Sequence, residues 1–305
     1  MTGKNGDKNL SPEASVIIRC YNEAKHLPRL FEELKRQSHQ NFEIVIVDSG
    51  SDDGTLDIVG QESVHLLHIP KEEFSFGRSL NLGCAAAKGE ILVFISAHCY
   101  PTGPEWLGNL LDGFNDSKVA AVYGKQRGGP DTQFSEQQIF RQWFGEKSVG
   151  RQSGPFSNNA NCSIRRSLWK EFQYDEELPG LEDTEWATRV IRHGWWVSYR
   201  ADAAVVHIHD ETPKQVRRRY QREAITLQQI SSSEHFNAFD FIRLFTRNVV
   251  TDFRQARREA VLRKTWLSTI HFRFSQFLGT YQGFHTRWPA SSDLKRKFYY
   301  PRDFR

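Results

Sequence analysis

Short apolar runs alternate with amphipathic stretches along the first hundred residues. Ala14-Ser-Val-Ile-Ile18, ending at Arg19, reads as a buried strand. Leu27, Leu30, Phe31 and Leu34 then recur at helical spacing. Phe42–Val47 is a second apolar, β-branched run, closed by a loop at Asp48-Ser-Gly-Ser51. A short helix over 53–59, a strand over 64–69, a small-residue helix over 79–87 and a strand over 91–95 follow. Strands alternating with helices predict an α/β fold with a mostly parallel, Rossmann-like sheet flanked by helices. Ligands of such sheets bind outside the carboxyl ends of the strands. That rule singles out Arg19–Glu23, Asp48–Asp53 and Ser96–His98 before any chemistry is considered.

Beyond Pro101 the pattern predicts helices over 105–114, 137–144, 167–172 and 182–192. Strands are expected over 119–122, 161–164, 195–199 and 203–208, with a Gly-rich loop over 124–131 and a mobile loop over 150–155. From Pro213, a residue suited to a helix N-terminus, the chain reads as helical and basic. The expected organisation is a disordered N-terminal tail (1–12), a main α/β domain (13–212) and a C-terminal α-helical extension (213–305).

Composition adds a charge asymmetry. Residues 213–305 carry 19 Lys/Arg against 7 Asp/Glu, a balance of +12, whereas residues 1–212 stand at −8. A basic part on an acidic body suggests two jobs, with the basic part facing an anionic partner. Arg/Lys positions beside Phe/Leu positions, as in Val216–Tyr220 and around Phe241–Arg258, suit a helix lying on an anionic membrane surface. The alternative is an ordinary helical extension with a solvated basic rim. No run of about 18 apolar residues predicts a spanning helix. The polar stretch 1–13 does not read as a signal peptide. Cys20, Cys84, Cys99 and Cys162 are scattered, unlike a disulfide framework or a zinc site, and fit a cytoplasmic protein. No G-x-G-x-x-G follows the first strand, and no nucleic-acid-binding motif is present.

Five motifs occur in a telling order. They are Ser15–Glu23, Ile44–Thr55 with its Asp48-Ser-Gly-Ser-Asp-Asp-Gly-Thr55, Asn81-Leu-Gly83, Ala87-Lys-Gly-Glu90 and Leu181-Glu-Asp183. Together, over about residues 14–210, they resemble family 2 glycosyltransferases of the GT-A fold, most closely the bacterial polysaccharide or rhamnosyl-type transferases. The resemblance implies an inverting enzyme of surface polysaccharide (capsule) synthesis. It would move a hexose or deoxyhexose from a UDP- or dTDP-sugar to a hydroxyl of a glycan or lipid-linked acceptor, on the inner face of the membrane.

The same resemblance assigns roles. Arg19, Tyr21, Asn22 and Glu23 would line the nucleotide pocket after the first strand. Asp48 would accept a hydrogen bond from the base, a charge-assisted pairing with an imide N–H. Asp52 or Asp53 would support the ribose or its loop, or merely cap a helix. Arg78 would pair with the diphosphate. Asn159, in the Phe156–Asn161 segment, and Trp186 would meet a sugar. Asp183 would be the general base and Glu182 would orient the acceptor. Asp183 sits at a helix start, which favours the ionised form a base needs.

One departure stands out. The family usually has Asp-x-Asp after the fourth strand to hold a divalent ion. Here Ser96-Ala-His98 replaces it, so metal dependence is open. His98 falls on the metal-ligating position, and an imidazole suits Mn²⁺ better than Mg²⁺. The equal alternative is that His98 gives a hydrogen bond to phosphate. For the family's late-strand histidine, His207 matches best and His209 is the second choice; alternation puts them on one face. The competing reading is a non-catalytic glycan- or nucleotide-binding scaffold with a degenerate metal site.

Overall fold

The computed structural model describes residues 11–231, 233–286 and 292–300. The expected tail, 1–12, lies outside these except for its last two residues. Eight strands form one sheet: β1 (Ala14–Cys20), β2 (Phe42–Asp48), β3 (His65–His68), β4 (Ile91–Ile95), β5 (Cys99–Pro101), β6 (Val119–Gly128), β7 (Asn161–Arg165) and β8 (Trp196–His207). Their order is β3-β2-β1-β4-β7-β6-β8-β5. The β3-β2-β1-β4 half is parallel. Strand β7 runs antiparallel to both β4 and β6, β6 and β8 are parallel, and β5 is an antiparallel edge.

The unbroken apolar runs of β1 and β4 reflect burial on both faces. On one face Val16, Ile18 and Ile46 meet Leu27, Leu30, Phe31 and Leu34 of α1 (Leu27–Lys35) and Trp106, Leu107 and Leu110 of α4 (Trp106–Asp112). A short helix, α2 (Thr55–Val59), lies beside α1. On the other face Ile17, Val45, Leu92 and Phe94 meet four helices. These are α3 (Phe76–Ala86), α5 (Phe134–Trp143), α6 (Arg166–Glu171) and α7 (Glu182–Arg192).

Three expectations are revised. The strands expected over 195–199 and 203–208 are one, β8, which continues through Arg200-Ala-Asp202 across a register shift against β6. Most of the presumed Gly-rich loop is the second half of β6, where Gln126, Arg127 and Gly128 pair with Val205, Val206 and His207. The 150–155 segment is tied down: Val149 bridges to Tyr199, and the Gln152 N–H donates to the Val197 carbonyl at 3.0 Å.

Beyond β8 the described elements are helices: α8 (Pro213–Ile230), α9 (Ala238–Arg258), α10 (Leu262–Phe284) and α11 (Ser292–Tyr299). Helix α8 opens with Pro213 and a capping box between Thr212 and Gln215. An equivalent box, Asn237 with Asp240, opens α9. Helix α10 crosses α8 at backbone contact. A Cβ on Gly279 would lie 2.1 Å from the Arg217 carbonyl oxygen, and one on Gly283 2.4 Å from that of Gln221. Arg273 of α10 forms a buried two-point pair with Asp252 of α9, at 2.8 and 2.9 Å. No helix among the described residues is long and apolar enough to cross a membrane. All four cysteines are free and buried.

Candidate active site

A cavity of about 170 Å³ opens at the carboxyl ends of β1 and β4. Arg19, Tyr21 and Glu23 line it from β1 and its loop, and Ser96 and His98 from the loop after β4. Ser49 lines it after β2, and Asn159 just before β7. The topological rule thus holds at this site.

The loop after β1 is latched to the loop after β2. Asn22 adopts φ of 55°, a left-handed conformation that Asn tolerates. Its Nδ2 donates to Asp52 Oδ1 at 2.8 Å, and the Asp52 N–H donates back to Asn22 Oδ1 at 2.8 Å. The Glu23 N–H donates to Thr55 Oγ1 at 2.8 Å. Asn22, expected to line the nucleotide pocket, and Asp52, expected to support the ribose or its loop, therefore latch the two loops together and are not among the cavity's lining residues. For Asp52 this is the loop-support alternative.

Asp48 is buried at the end of β2, next to Ser49. Its Oδ2 accepts from the Gly50 and Ser51 N–H groups at 2.9 and 3.1 Å. Its Oδ1 is buried with no hydrogen-bond partner among the described residues. A buried carboxylate oxygen left so is costly, and a donor from a ligand would relieve it.

Glu182 and Asp183, at the start of α7, stand behind two lining residues, Arg19 and Asn159, and are not themselves among the residues that line the cavity. Arg19 Nη1 lies 3.4 Å from Glu182 Oε1, joining positions 163 residues apart. Asp183 Oδ2 accepts from the N–H of cavity-lining Asn159 at 2.9 Å, and Oδ1 accepts from the Thr184 N–H at 2.7 Å. Burial and the neighbouring Glu182 carboxylate outweigh these donors and push the Asp183 carboxyl up to about 7. The helix start alone suggested easy ionisation; the packing reverses that. Asn159 Nδ2 is also buried without a partner among the described residues.

Three histidines converge beside His98. Ligand atoms of His98, His207 and His209 all lie within 4.8 Å of one another. The two candidates for the late-strand histidine therefore belong to the same cluster. His98 Nδ1 meets Glu23 Oε1 at 3.1 Å, His207 Nδ1 meets Gln126 Oε1 at 2.7 Å, and His209 Nδ1 meets Glu136 Oε1 at 2.5 Å. A carboxylate only accepts, so Nδ1 of His98 and His209 carries the hydrogen and the Nε2 atoms are turned toward the cluster. His207 Nε2 and His209 Nε2 face each other at 2.9 Å. Two lone pairs that close demand a proton or a metal cation between them. Burial, and then His209 and His98, hold the His207 ring well below its ordinary value and so neutral, as a ligand must be. Burial pushes the Glu136 carboxyl up, but Arg219 at 2.8 Å and His209 outweigh it and keep it ionised, at about 2. An all-nitrogen set backed by acceptors fits a divalent transition ion and suits Mg²⁺ poorly.

Two expected residues lie elsewhere. Trp186 is 1% exposed, packs on Tyr174 and donates its indole N–H to the Phe172 carbonyl, so it belongs to the core and meets no sugar. Arg78 is exposed and paired with Glu73 at 2.6 Å, in a separate groove with His68 and Trp169, and is not among the residues that line the cavity.

Other residues of the site were not foreseen. Phe74 and Phe76 line the cavity, and so does Tyr299 of α11. The Tyr300 ring edge meets the Tyr21 ring at 4.7 Å, and Lys71 Nζ donates to Tyr21 Oη at 2.7 Å. Tyr299 and Tyr300 thus cover the Tyr21 side of the cavity. Gln126 and Glu136, which orient two of the histidines, were also missed. Only the aromatic pairs 74/76 and 299/300 left any mark in the sequence, and nothing in it joins them.

The sequence profile described as glycosyl transferase family 2 matches residues 15–172. Among curated relatives, the O-antigen chain rhamnosyltransferase RfbN of Salmonella typhimurium is 26% identical over 219 residues, 68% of this chain and 69% of the relative. The O-antigen chain rhamnosyltransferase WbaN of Salmonella anatum is 27% identical over 222 residues, 68% of this chain and 70% of the relative. Among solved structures, the mannosyltransferase PcManGT from Pyrobaculum calidifontis, in complex with GDP-Man and Mn²⁺, superposes with a TM-score of 0.63 at 18% identity. That superposition covers 93% of this chain and 89% of that one. S. aureus TarS with UDP-GlcNAc gives 0.52 at 17% identity, covering 88% and 91%. These likenesses identify the architecture as the GT-A fold with C-terminal helices. With its motifs in order and the profile spanning more than half of its length, the chain belongs to glycosyl transferase family 2.

Proposed function

We propose that this glycosyltransferase moves a sugar, preferably a deoxyhexose, from a UDP- or dTDP-linked donor to a hydroxyl of a glycan or lipid-linked acceptor, with inversion, in surface polysaccharide synthesis. The curated relatives named as rhamnosyltransferases support the sugar class. Asp48 Oδ1, buried without a partner among the described residues beside cavity-lining Ser49, suits the imide N–H of uracil or thymine. The work is assigned to residues 13–212, at the cytoplasmic face of the membrane, with 213–305 as a basic helical extension.

The observation that carries the proposal is one cavity bounded by Arg19, Ser96, His98 and Asn159, with Asp183 held against Asn159. Asp183 takes the acceptor's proton as the hydroxyl oxygen attacks the anomeric carbon and the bond to the diphosphate oxygen breaks. A value near neutrality suits a base that must both take and release a proton. Arg19 fixes Glu182, which orients the acceptor, and presents positive charge to the diphosphate. Asn159 Nδ2 offers a donor to the sugar. His98, His207 and His209 would hold a divalent ion, which supplies charge to the departing diphosphate.

The test is release of nucleoside diphosphate from a panel of UDP-, dTDP- and GDP-sugars, with the product's anomeric configuration read by NMR. Turnover of a UDP- or dTDP-deoxyhexose with inverted configuration is expected. Retention, or no release by folded protein from any donor, would overturn the proposal.

A further inference from the structure

Among the described residues eight large apolar side chains stand out as exposed, and six lie on α9 and α10. Phe239 and Ile242 of α9 are 71% and 63% exposed, and Val250 follows on the same helix. Phe239, Ile242, Thr246 and Val250 recur every three or four residues, so they form one stripe. On α10, Trp266, Leu267 and Phe274 fall within one arc. The α10 arc also touches α9. Phe274 packs edge-on against both Phe241 and Phe245 of α9, with centroids 5.9 and 6.2 Å apart. Neither helix spends this surface on the sheet: α10 packs chiefly on α8 and α9.

The charge around this face is of one sign. Arg243, Arg247, Arg254, Arg257, Arg258, Arg263 and Lys264 are all exposed on the two helices. The three acids of the hairpin are engaged. Asp252 is buried on Arg273, Asp240 caps α9 and pairs with Arg243, and Glu259 pairs with Arg141. By contrast, α8 does not contribute its whole basic run. Arg219 turns inward to Glu136 and Glu211, and Arg222 donates to the Phe298 carbonyl.

We propose that the outer face of the α9–α10 hairpin docks the protein on an anionic lipid bilayer. Phe239, Ile242, Val250, Trp266, Leu267 and Phe274 enter the headgroup–acyl boundary, and the flanking arginines meet lipid phosphates. An apolar stripe rimmed with Arg/Lys is what an interfacial helix needs. A second copy of the chain is the poorer occupant, because a two-fold pairing of this face would set basic rim against basic rim. The inference is narrower than a membrane role for the whole basic region, and it does not depend on the transfer chemistry proposed above.

The test is flotation of the full chain with phosphatidylglycerol-containing vesicles and with pure phosphatidylcholine vesicles, without donor. Binding to the anionic vesicles only, weakened by salt, is expected. Phe239→Ser with Ile242→Ser lowers partition about tenfold or more. Arg247→Ser with Arg254→Ser lowers it about 25-fold. Both double variants, being on the surface, keep the wild-type melting temperature and rate of nucleotide release. Absence of flotation, equal flotation with neutral vesicles, or flotation indifferent to both double variants would overturn the proposal. So would a dimer in light scattering that the Phe239/Ile242 variant dissolves. None of these results bears on donor turnover, so the two readings fail separately.

Discussion

Replacing His98 with alanine tests the three-histidine cluster. The wild-type site presents three imidazoles with ligand atoms within 4.8 Å, two of them already 2.9 Å apart. With metal–nitrogen bonds of roughly 2.1 Å, neighbouring ligand atoms stand about 3.0–3.4 Å apart, so the site needs little closure around an ion. Losing even an outer-shell partner costs about 10–100-fold in metal affinity, and losing a direct ligand costs at least the upper figure. At a Mn²⁺ concentration of about 100 times Kd the wild-type fold gains about 2.7 kcal/mol; the variant, then near its own Kd, gains about 0.4 kcal/mol. At about 2 °C per kcal/mol for a chain of this size, Mn²⁺ raises the wild-type Tm by about 5 °C and the variant's by about 1 °C. The assay is thermal unfolding with Mn²⁺, Zn²⁺ or Mg²⁺, with Mg²⁺ giving no shift. An equal Mn²⁺ shift in both proteins, or a Mg²⁺ shift matching that of Mn²⁺, would refute the assignment.

Two further outcomes follow from the packing. Asp183 acts as a base only when ionised, and its carboxyl is pushed up to about 7. The transfer rate therefore falls about tenfold per unit below that pH and levels off above it; a rate–pH profile checks this. Glu182→Gln removes the adjacent charge and moves the midpoint down, whereas an unmoved midpoint would deny the coupling. Trp186→Ala, a change in the core, lowers stability by about 3–5 kcal/mol in a urea melt while leaving the Kd for donor unchanged; a loss of donor affinity without a loss of stability would return Trp186 to the site.

The parts of the fold that were legible in the sequence are those whose burial is written in the local pattern. Strands β1, β2 and β4 are apolar runs, helices α1 and α7 carry helical periodicity, and the candidate cavity lies where the sheet rule places it, at strand ends. Strand β8 was split in reading because Arg200-Ala-Asp202 breaks the apolar run, although the backbone pairing carries on past it. Trp186 was misplaced for an avoidable reason: with Ala187 and Val190 it marks the buried stripe of α7. The histidines were found, but not Glu23, Gln126 and Glu136 as the acceptors that aim them. Those pairings are 75, 81 and 73 residues apart and exist only once the sheet has formed. The cover given by Tyr299 and Tyr300 was invisible for the same reason.

The central claim is that Asp183 is the base of a sugar transfer at this cavity. The most direct measurement compares Asp183→Asn with wild type under saturating donor, following sugar transfer and donor binding on the same preparations. The account predicts that the variant binds donor with wild-type affinity while turnover falls by about 10²–10⁴-fold. A variant that turns over at the wild-type rate would contradict it.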